Sequence, residues 1–412
     1  MQFKDLKLNK PILRAITEKN YTTPTEVQHK VIPQIIEQND VIVTAQTGTG
    51  KTASFALPIL RMLFDRQDAP KKGKKIRALV VNPTRELAIQ VQENFKQYGK
   101  YTNLVSTAIF GGVSAVPQQE ILERGVDILI ATPGRLLDLH KQDVFRLDKV
   151  EQLVLDEADL MLDMGFINDI RKIERLCPKD RQTLLFSATM PDAIEELAKT
   201  IMFQPTRVTI AKTSSTADTI VQKLMYVPKS EKVALCVHLL ERECKGSTII
   251  FRRTKFGADK LEKSLTKKGF NVTCLHGNKS QNARQKALNR FKNGDARILI
   301  ATDVAARGID ISAVDAVINF DLPNIAETYV HRIGRTGRAG INGESYSFCC
   351  EDEKEYVATI ETLIGKKIPV DNEHPFPLDP DLKPQVHTKK SNSKHRKNRK
   401  SEASRKKKKR WY

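Results

Sequence analysis

The stretch that most restricts this chain is Leu153-Val154-Leu155-Asp156-Glu157-Ala158-Asp159. Three apolar residues running straight into carboxylates read as a buried strand whose C-terminal end meets a ligand. Carboxylates that close repel one another, so they need a cation or separate tasks. Mg²⁺ suits them, because it prefers oxygen ligands and arrives with substrate phosphates. An acidic helix N-terminus is the competing reading of the tetrapeptide alone. A second stretch decides between the two. Ala45-Gln46-Thr47-Gly48-Thr49-Gly50-Lys51-Thr52 follows the apolar run Val41-Ile42-Val43 and precedes an apolar helix expected over Ala53 to Leu63. Strand, glycine-rich turn and helix form the setting of a phosphate cradle. Backbone N–H groups and the helix N-terminus face the phosphates, Lys51 reaches the β and γ oxygens, and the Thr52 hydroxyl ligates Mg²⁺. Ala45 stands where the usual pattern begins with glycine, but Gly50-Lys51-Thr52 is intact.

At 412 residues the chain exceeds one ordinary core and suits two domains with extensions. Apolar strands and amphipathic helices alternate in both halves, the pattern of mostly parallel sheets with helices on both faces. Strands are expected at 41–44, 78–81, 107–110, 128–130, 153–155 and 183–186, then at 248–251, 272–275, 298–300, 316–319 and 345–348. The expected division is a helical lead-in over 1–39, a first α/β domain over 40–204, a linker over 205–219, a similar second domain over 220–368 and a tail over 369–412. No cradle recurs in the second half, so one nucleotide site between two domains is expected. No long apolar run suggests a membrane span, and the first residues lack the apolar core of a signal peptide. Cys177, Cys236, Cys244, Cys274, Cys349 and Cys350 show no C-x-x-C spacing and read as reduced thiols of a cytoplasmic protein. The net charge is +20. From Lys383 to Tyr412, fourteen Lys and Arg face one acid, Glu402, so this arm carries +13 and the rest of the chain +7. Such a composition stays unfolded.

The cradle and the literal Asp-Glu-Ala-Asp resemble the DEAD-box ATP-dependent RNA helicase family, and matching motifs continue in family order to about Gly365. The lead-in, short body and basic tail look most like the bacterial RhlE-type subgroup. The resemblance implies two tandem RecA-like domains. The segment Tyr21 to Gln28 looks like the family's Q motif, in which Gln28 contacts adenine; an amide can both donate and accept. Phe3 is then the upstream aromatic that stacks on the base, and Tyr21 stands where Phe is usual. By the same resemblance Gln46, Thr47, Gly48 and Thr49 line the cradle, Asp156 joins Thr52 in holding Mg²⁺, and Glu157 is the general base. Gly308 and Asp310 reach the nucleotide from the second domain, Asp310 at the ribose. Arg335 and Arg338 are its arginine fingers. Asp159, Ser187, Thr189, His331 and Arg332 couple the domains. The RNA backbone meets Pro83, Thr84, Arg85, Gly111, Gly112, Thr132, Pro133 and Arg135 in the first domain. In the second it meets Arg252, Gly277, Gln281, Arg284, Thr302 and Arg307.

Read without the family, the first-domain set is also plain cap chemistry, with Pro at the first helical position after Thr. Helix N-termini also hold phosphates without reading bases. Arg332, Arg335 and Arg338 are open to reading as a solvated basic face, although Gly334 and Gly337 favour a shaped anion site. The implied function is RNA-stimulated ATP hydrolysis with Mg²⁺, driving closure on RNA and local, non-processive unwinding or ribonucleoprotein remodelling. The implied partner is RNA held without sequence preference, with ribosome or RNA-decay complexes beyond it, around a monomer. An ATP-gated RNA clamp and a DNA-directed motor are the alternatives.

Overall fold

The computed structural model describes residues 2–46, 48–65, 75–210, 220–306, 311, 314–337 and 343–378. Strands β1 (Val41–Thr44), β2 (Ala78–Val81), β3 (Ser106–Ile109), β4 (Ile128–Ala131), β5 (Gln152–Leu155), β6 (Gln182–Ser187) and β7 (Thr206–Thr209) form one sheet. Its order is β3-β4-β2-β5-β6-β1-β7. Strands β8 (Ile220–Tyr226), β9 (Thr248–Phe251), β10 (Val272–Leu275), β11 (Ile298–Ala301), β12 (Ala316–Asn319) and β13 (Gly343–Cys349) form a second, ordered β10-β11-β9-β12-β13-β8. All pairings between these strands are parallel. Without β7, the second order repeats the first strand for strand, with β8 in the place of β1.

The pleat sorts each strand between two helical layers. Val41, Val43, Val80, Val154 and Phe186 pack on one face of the first sheet with Phe55 and Phe95. Leu79, Val81, Leu153 and Leu155 pack on the other with Leu136 and Ile170. In the second sheet Ile250, Ile298, Ile300 and Ile318 face one layer, and Ile249, Phe251, Leu299 and Val317 the other. Strands buried on both faces need no alternation, which is why they read as unbroken apolar runs.

The edges depart from expectation. The linker expected over 205–219 begins with β7, which pairs with β1 and buries Val208; residues 211–219 lie outside the described residues. Strand β8 was not among the expected strands. The tail expected from 369 begins with a strap on the second sheet. Leu224 donates to the Pro369 carbonyl at 2.8 Å, Asp371 to Leu224 at 2.8 Å and Leu378 to Tyr226 at 3.0 Å. The strap covers backbone groups that an edge strand leaves unpaired. The rest of the tail, 379–412, lies outside the described residues.

The lead-in packs its Glu26–Ile36 helix on the Lys51–Asp65 helix. Thr25 caps it in a reciprocal box: its hydroxyl accepts from Gln28 N at 3.4 Å, and the Gln28 side-chain Oε1 accepts from Thr25 N at 3.0 Å. All six cysteines are buried and unpaired. Among the described residues no helix is long and apolar enough to cross a membrane.

Candidate nucleotide and RNA site

Functional side chains gather at the carboxyl ends of the strands, where parallel sheets place ligands. Beyond β1, Gly48 and Gly50 adopt φ of +85° and +93°, a turn that side-chain-bearing residues resist. The Thr49 hydroxyl donates to the Gln46 carbonyl at 2.8 Å. A Cβ on Gly50 would crowd the Gln28 amide, whose nitrogen donates to the Gly50 carbonyl at 3.3 Å. Gln28 therefore touches the cradle directly. Thr47 lies outside the described residues. Phe3 is not presented to a ligand: it is 4% exposed within the core. Its ring stacks on Tyr21 at 6.4 Å, and Tyr21 keeps the open face, at 38% exposure.

Lys51 starts the next helix and is buried, with Nζ 2.8 Å from Glu157 Oε1. The two form a buried ion pair at the mouth of the cradle. Burial pulls the Lys51 ammonium down, but the Glu157, Asp156 and Asp159 carboxylates outweigh it and hold the group above its ordinary value. Asp156 accepts from Asn82 Nδ2 at 3.0 Å. Burial, then the neighbouring Glu157 charge, pushes the Asp156 carboxyl up to about 7. Glu157 sits in left-handed backbone, φ +55° and ψ +55°, a strain of about 1–2 kcal/mol for a residue with a Cβ. These features fit a bound triphosphate and metal. A buried ammonium at the mouth of a glycine turn suits phosphate oxygens, and the adjacent buried carboxylates of Asp156 and Glu157, which repel one another, suit Mg²⁺.

Asp159 ties β5 to β6. Its Oδ2 accepts from Ala188 N, Thr189 N and the Thr189 hydroxyl at 3.2, 2.9 and 3.0 Å, while its own N–H donates to Ser187 Oγ at 3.1 Å. The structure thus brings together three residues expected to couple the domains.

The first-domain RNA candidates share one rim. Thr84 caps the Arg85–Tyr98 helix, with Pro83 before it. Gly112 adopts φ +76°, and a Cβ there would overlap the Arg85 guanidinium. Gly111 opens onto free space. Thr132 precedes Pro133 at the start of the Pro133–Lys141 helix, from which Arg135 donates to the Val113 carbonyl at 2.9 Å and leaves Nη1 without a partner.

In the second domain Arg252 stacks on Phe320 at 4.2 Å and lies 3.3 Å from Asp321. Thr302 follows β11, nearly buried, with its N–H donating to the Leu275 carbonyl at 3.3 Å. Arg332, expected to couple the domains, is 2% exposed. It holds Asp303 with two bonds of 2.6 and 2.8 Å and also reaches Asn319 and the Asp321 carbonyl. It braces its own domain. His331 precedes it on the same helix, and Arg335 follows in the turn beyond, nearly buried. Arg307, Gly308, Asp310 and Arg338 lie outside the described residues.

Gln281 and Arg284 do not present themselves to phosphate. Both meet Glu86 of the first domain, Gln281 Nε2 at 3.1 Å and Arg284 Nε at 2.9 Å. Glu86 and Gln281 are buried in this link and Arg284 is nearly so, and sequence reasoning missed Glu86. It also missed Asn82, Asp303 and Asp321; the signal for Glu86 was an acid between motif residues in Thr84-Arg85-Glu86-Leu87. Gly277 is open, and His276 fixes its turn, lying 2.8 Å from Asp259 while accepting from Asn278 N at 3.3 Å. A cavity lined by Asp40, Arg77 and Arg181 opens at the opposite end of the first sheet and holds none of these residues.

A cradle and an acidic strand end on one of two matched parallel sheets define a two-domain nucleotide-binding α/β protein. The sequence profile of the DEAD/DEAH box helicase family matches residues 25–197, and that of the helicase conserved C-terminal domain residues 231–340. The ATP-dependent RNA helicase CshA of Limosilactobacillus reuteri is 42% identical over 363 residues, 88% of this chain and 72% of its own length. The ATP-dependent rRNA helicase RRP3 of Candida albicans is 42% identical over 374, 90% of this chain and 69% of its own. Among solved structures, S. cerevisiae Dbp5 bound to RNA and ADP BeF3 superposes with a TM-score of 0.80 at 32% identity, covering 90% of this chain and 95% of that one. A DEAD box protein from Methanococcus jannaschii gives 0.52 at 38% identity, covering 90% and 99%. The chain belongs to the DEAD-box helicase family.

Proposed function

We propose that the protein is an ATP-dependent RNA helicase that works by closing two domains on RNA. The buried cluster of Lys51, Asp156 and Glu157 at the end of β5 carries this reading. Lys51 binds the β and γ phosphates, Gln28 and Tyr21 meet adenine, and Asp156 with Thr52 holds Mg²⁺. The metal supplies charge neutralisation at the phosphates when bound. Glu157, fixed in its strained turn, orients the attacking water and takes its proton. The rim of Thr84, Arg85, Gly111, Gly112, Thr132 and Arg135 binds the RNA backbone with Arg252, Gly277 and Thr302 opposite.

Arg335 and Arg338 reach the terminal phosphate only when the domains close. An arginine finger contributes about 10³–10⁵ in rate, so hydrolysis is slow until RNA bridges the domains, and ATP and RNA affinities are coupled reciprocally. The superposition on RNA-bound Dbp5 at a TM-score of 0.80 and the Glu86 link across the domains support closure. Each closure releases only a few base pairs, each step costing about 1.4 kcal/mol taken from DNA stacking, so unwinding is local. The basic arm tethers the enzyme to structured RNA.

The test is the ATPase rate with RNA or DNA of one sequence, on the full chain and on a chain ending before Lys383. RNA stimulation of both is expected. No stimulation of either by RNA defeats the reading, and equal stimulation by DNA makes the protein a DNA motor.

A further inference from the structure

We infer that Phe256 is a stacking platform for one nucleobase of the bound RNA, so that the second domain holds a base as well as a backbone. The inference rests on the RNA reading above and extends it. Phe256 is the second residue of the Lys255–Lys267 helix and is 73% exposed. The buried stripe of that helix is Ala258, Leu261 and Leu265, which leaves Phe256 off the core face. The capped helix start fixes its position: Thr254 Oγ1 accepts from Gly257 N at 3.1 Å.

Single exposed apolar residues are common, so exposure alone singles out nothing. Continuity with the RNA face does. Lys255 lies 5.3 Å from the Phe256 ring centroid and donates to Asn278 Oδ1 at 2.9 Å, joining the ring's base to the open Gly277 turn. At the same helix start, the Arg252 guanidinium lies where a Cβ of Gly257 would be. Phe256 therefore belongs to a helix start whose immediate neighbours, Lys255, Arg252 and the open Gly277 turn, together suit a phosphate. A nucleotide held by its phosphate there has a flat, apolar surface beside it for its base. An apolar protein partner fits less well against a ring flanked by Lys255, Arg252 and the polar Asn278.

Phe203 supplies an internal control. It is 79% exposed but lies beside Asp40, to which its N–H donates at 2.8 Å, at the end of the first sheet away from the cradle.

Stacking favours purines over pyrimidines at one position of the strand and leaves the others indifferent. The experiment places 2-aminopurine at successive positions of a single-stranded RNA and follows its fluorescence on binding with a non-hydrolysable ATP analogue. The wild type is expected to quench one position outside the general response. Phe256→Ala should lose that quenching and bind RNA about 5- to 150-fold more weakly, the effect of one base–aromatic stack. Phe256→Trp should retain both, Phe203→Ala should match wild type, and nucleotide affinity should be unchanged throughout. If Phe256→Ala binds RNA as tightly as wild type with the same quenching profile, the inference is overturned while the RNA reading stands. If the wild type itself binds no RNA, the RNA reading fails first.

Discussion

Replacing Glu86 by Gln probes the link between the domains without changing its shape. Glu86 and Arg284 keep 6% and 11% of their side-chain surface, with 2.9 Å between Arg284 Nε and the carboxylate. Burial pulls the Arg284 guanidinium below its ordinary range, Glu86 opposes that, and Arg85 adds to it. Glu86→Gln can still meet Gln281, but it leaves two guanidinium groups near each other with no counter-charge. Removing one partner of a buried pair costs about 3–5 kcal/mol. The residual exposure here lets some water reach the pair, so we take about 3 kcal/mol, roughly 150-fold. The penalty falls only on the closed arrangement, because separated domains let Arg284 hydrate. RNA affinity in the presence of a non-hydrolysable ATP analogue should therefore drop by about two orders of magnitude. Nucleotide affinity without RNA and the melting temperature should hardly move. Anisotropy of labelled RNA measures the first, and a double-mutant cycle with Arg284→Gln should be strongly non-additive. The reasoning fails if Glu86→Gln binds RNA within threefold of wild type while Arg284→Gln does not. That pattern would return Arg284 to the phosphate role the family resemblance suggests.

Three further outcomes are expected. Glu157→Gln should lower kcat by about 10²–10⁴ while retaining ATP and RNA binding, measured by RNA-saturated ATPase and equilibrium binding. Gly112→Ala, forced into φ +76° against Arg85, should weaken RNA binding by about tenfold from roughly 1–2 kcal/mol of backbone strain, with nucleotide affinity unchanged. Asp156 should hold Mg²⁺ only as the carboxylate. With its carboxyl raised to about 7, affinity for the Mg²⁺·nucleotide should rise with pH by up to about tenfold per unit below that value and flatten above it. Calorimetry across pH measures this, and Asp156→Asn should lose the slope. The sign for stability is opposite. The folded carboxyl keeps its proton where the unfolded one has lost it, so the nucleotide-free protein should lose stability as pH rises from about 4 to about 7.

Much of the site was legible because its chemistry is local. Gly50-Lys51-Thr52 between a strand and a helix, and Asp156-Glu157 after an apolar run, announce their places through sequence neighbours. Interior strands such as β2 and β4 were legible because burial on both faces leaves only apolar residues. The edge strand β7 was not, since Thr206-Arg207-Val208-Thr209 commits one residue to the core and looks like loop. Contacts between distant residues were not legible either. Glu86 and Gln281 lie 195 residues apart, and nothing local to Gln281 or Arg284 says that a carboxylate rather than a phosphate will meet them. Phe3 was legible as an important aromatic but not as a core residue, because its direction depends on the turn that brings Tyr21 over it.

The central claim is that hydrolysis needs an arginine from the second domain at a site built on the first. Single-turnover ATP hydrolysis, with and without saturating RNA, in wild type and Arg335→Ala, tests it most directly. RNA should raise the wild-type rate by about 10³–10⁵, and Arg335→Ala should lose nearly all of that increment while still binding ATP and RNA. A wild-type rate indifferent to RNA, or an Arg335→Ala protein that RNA stimulates fully, would contradict it.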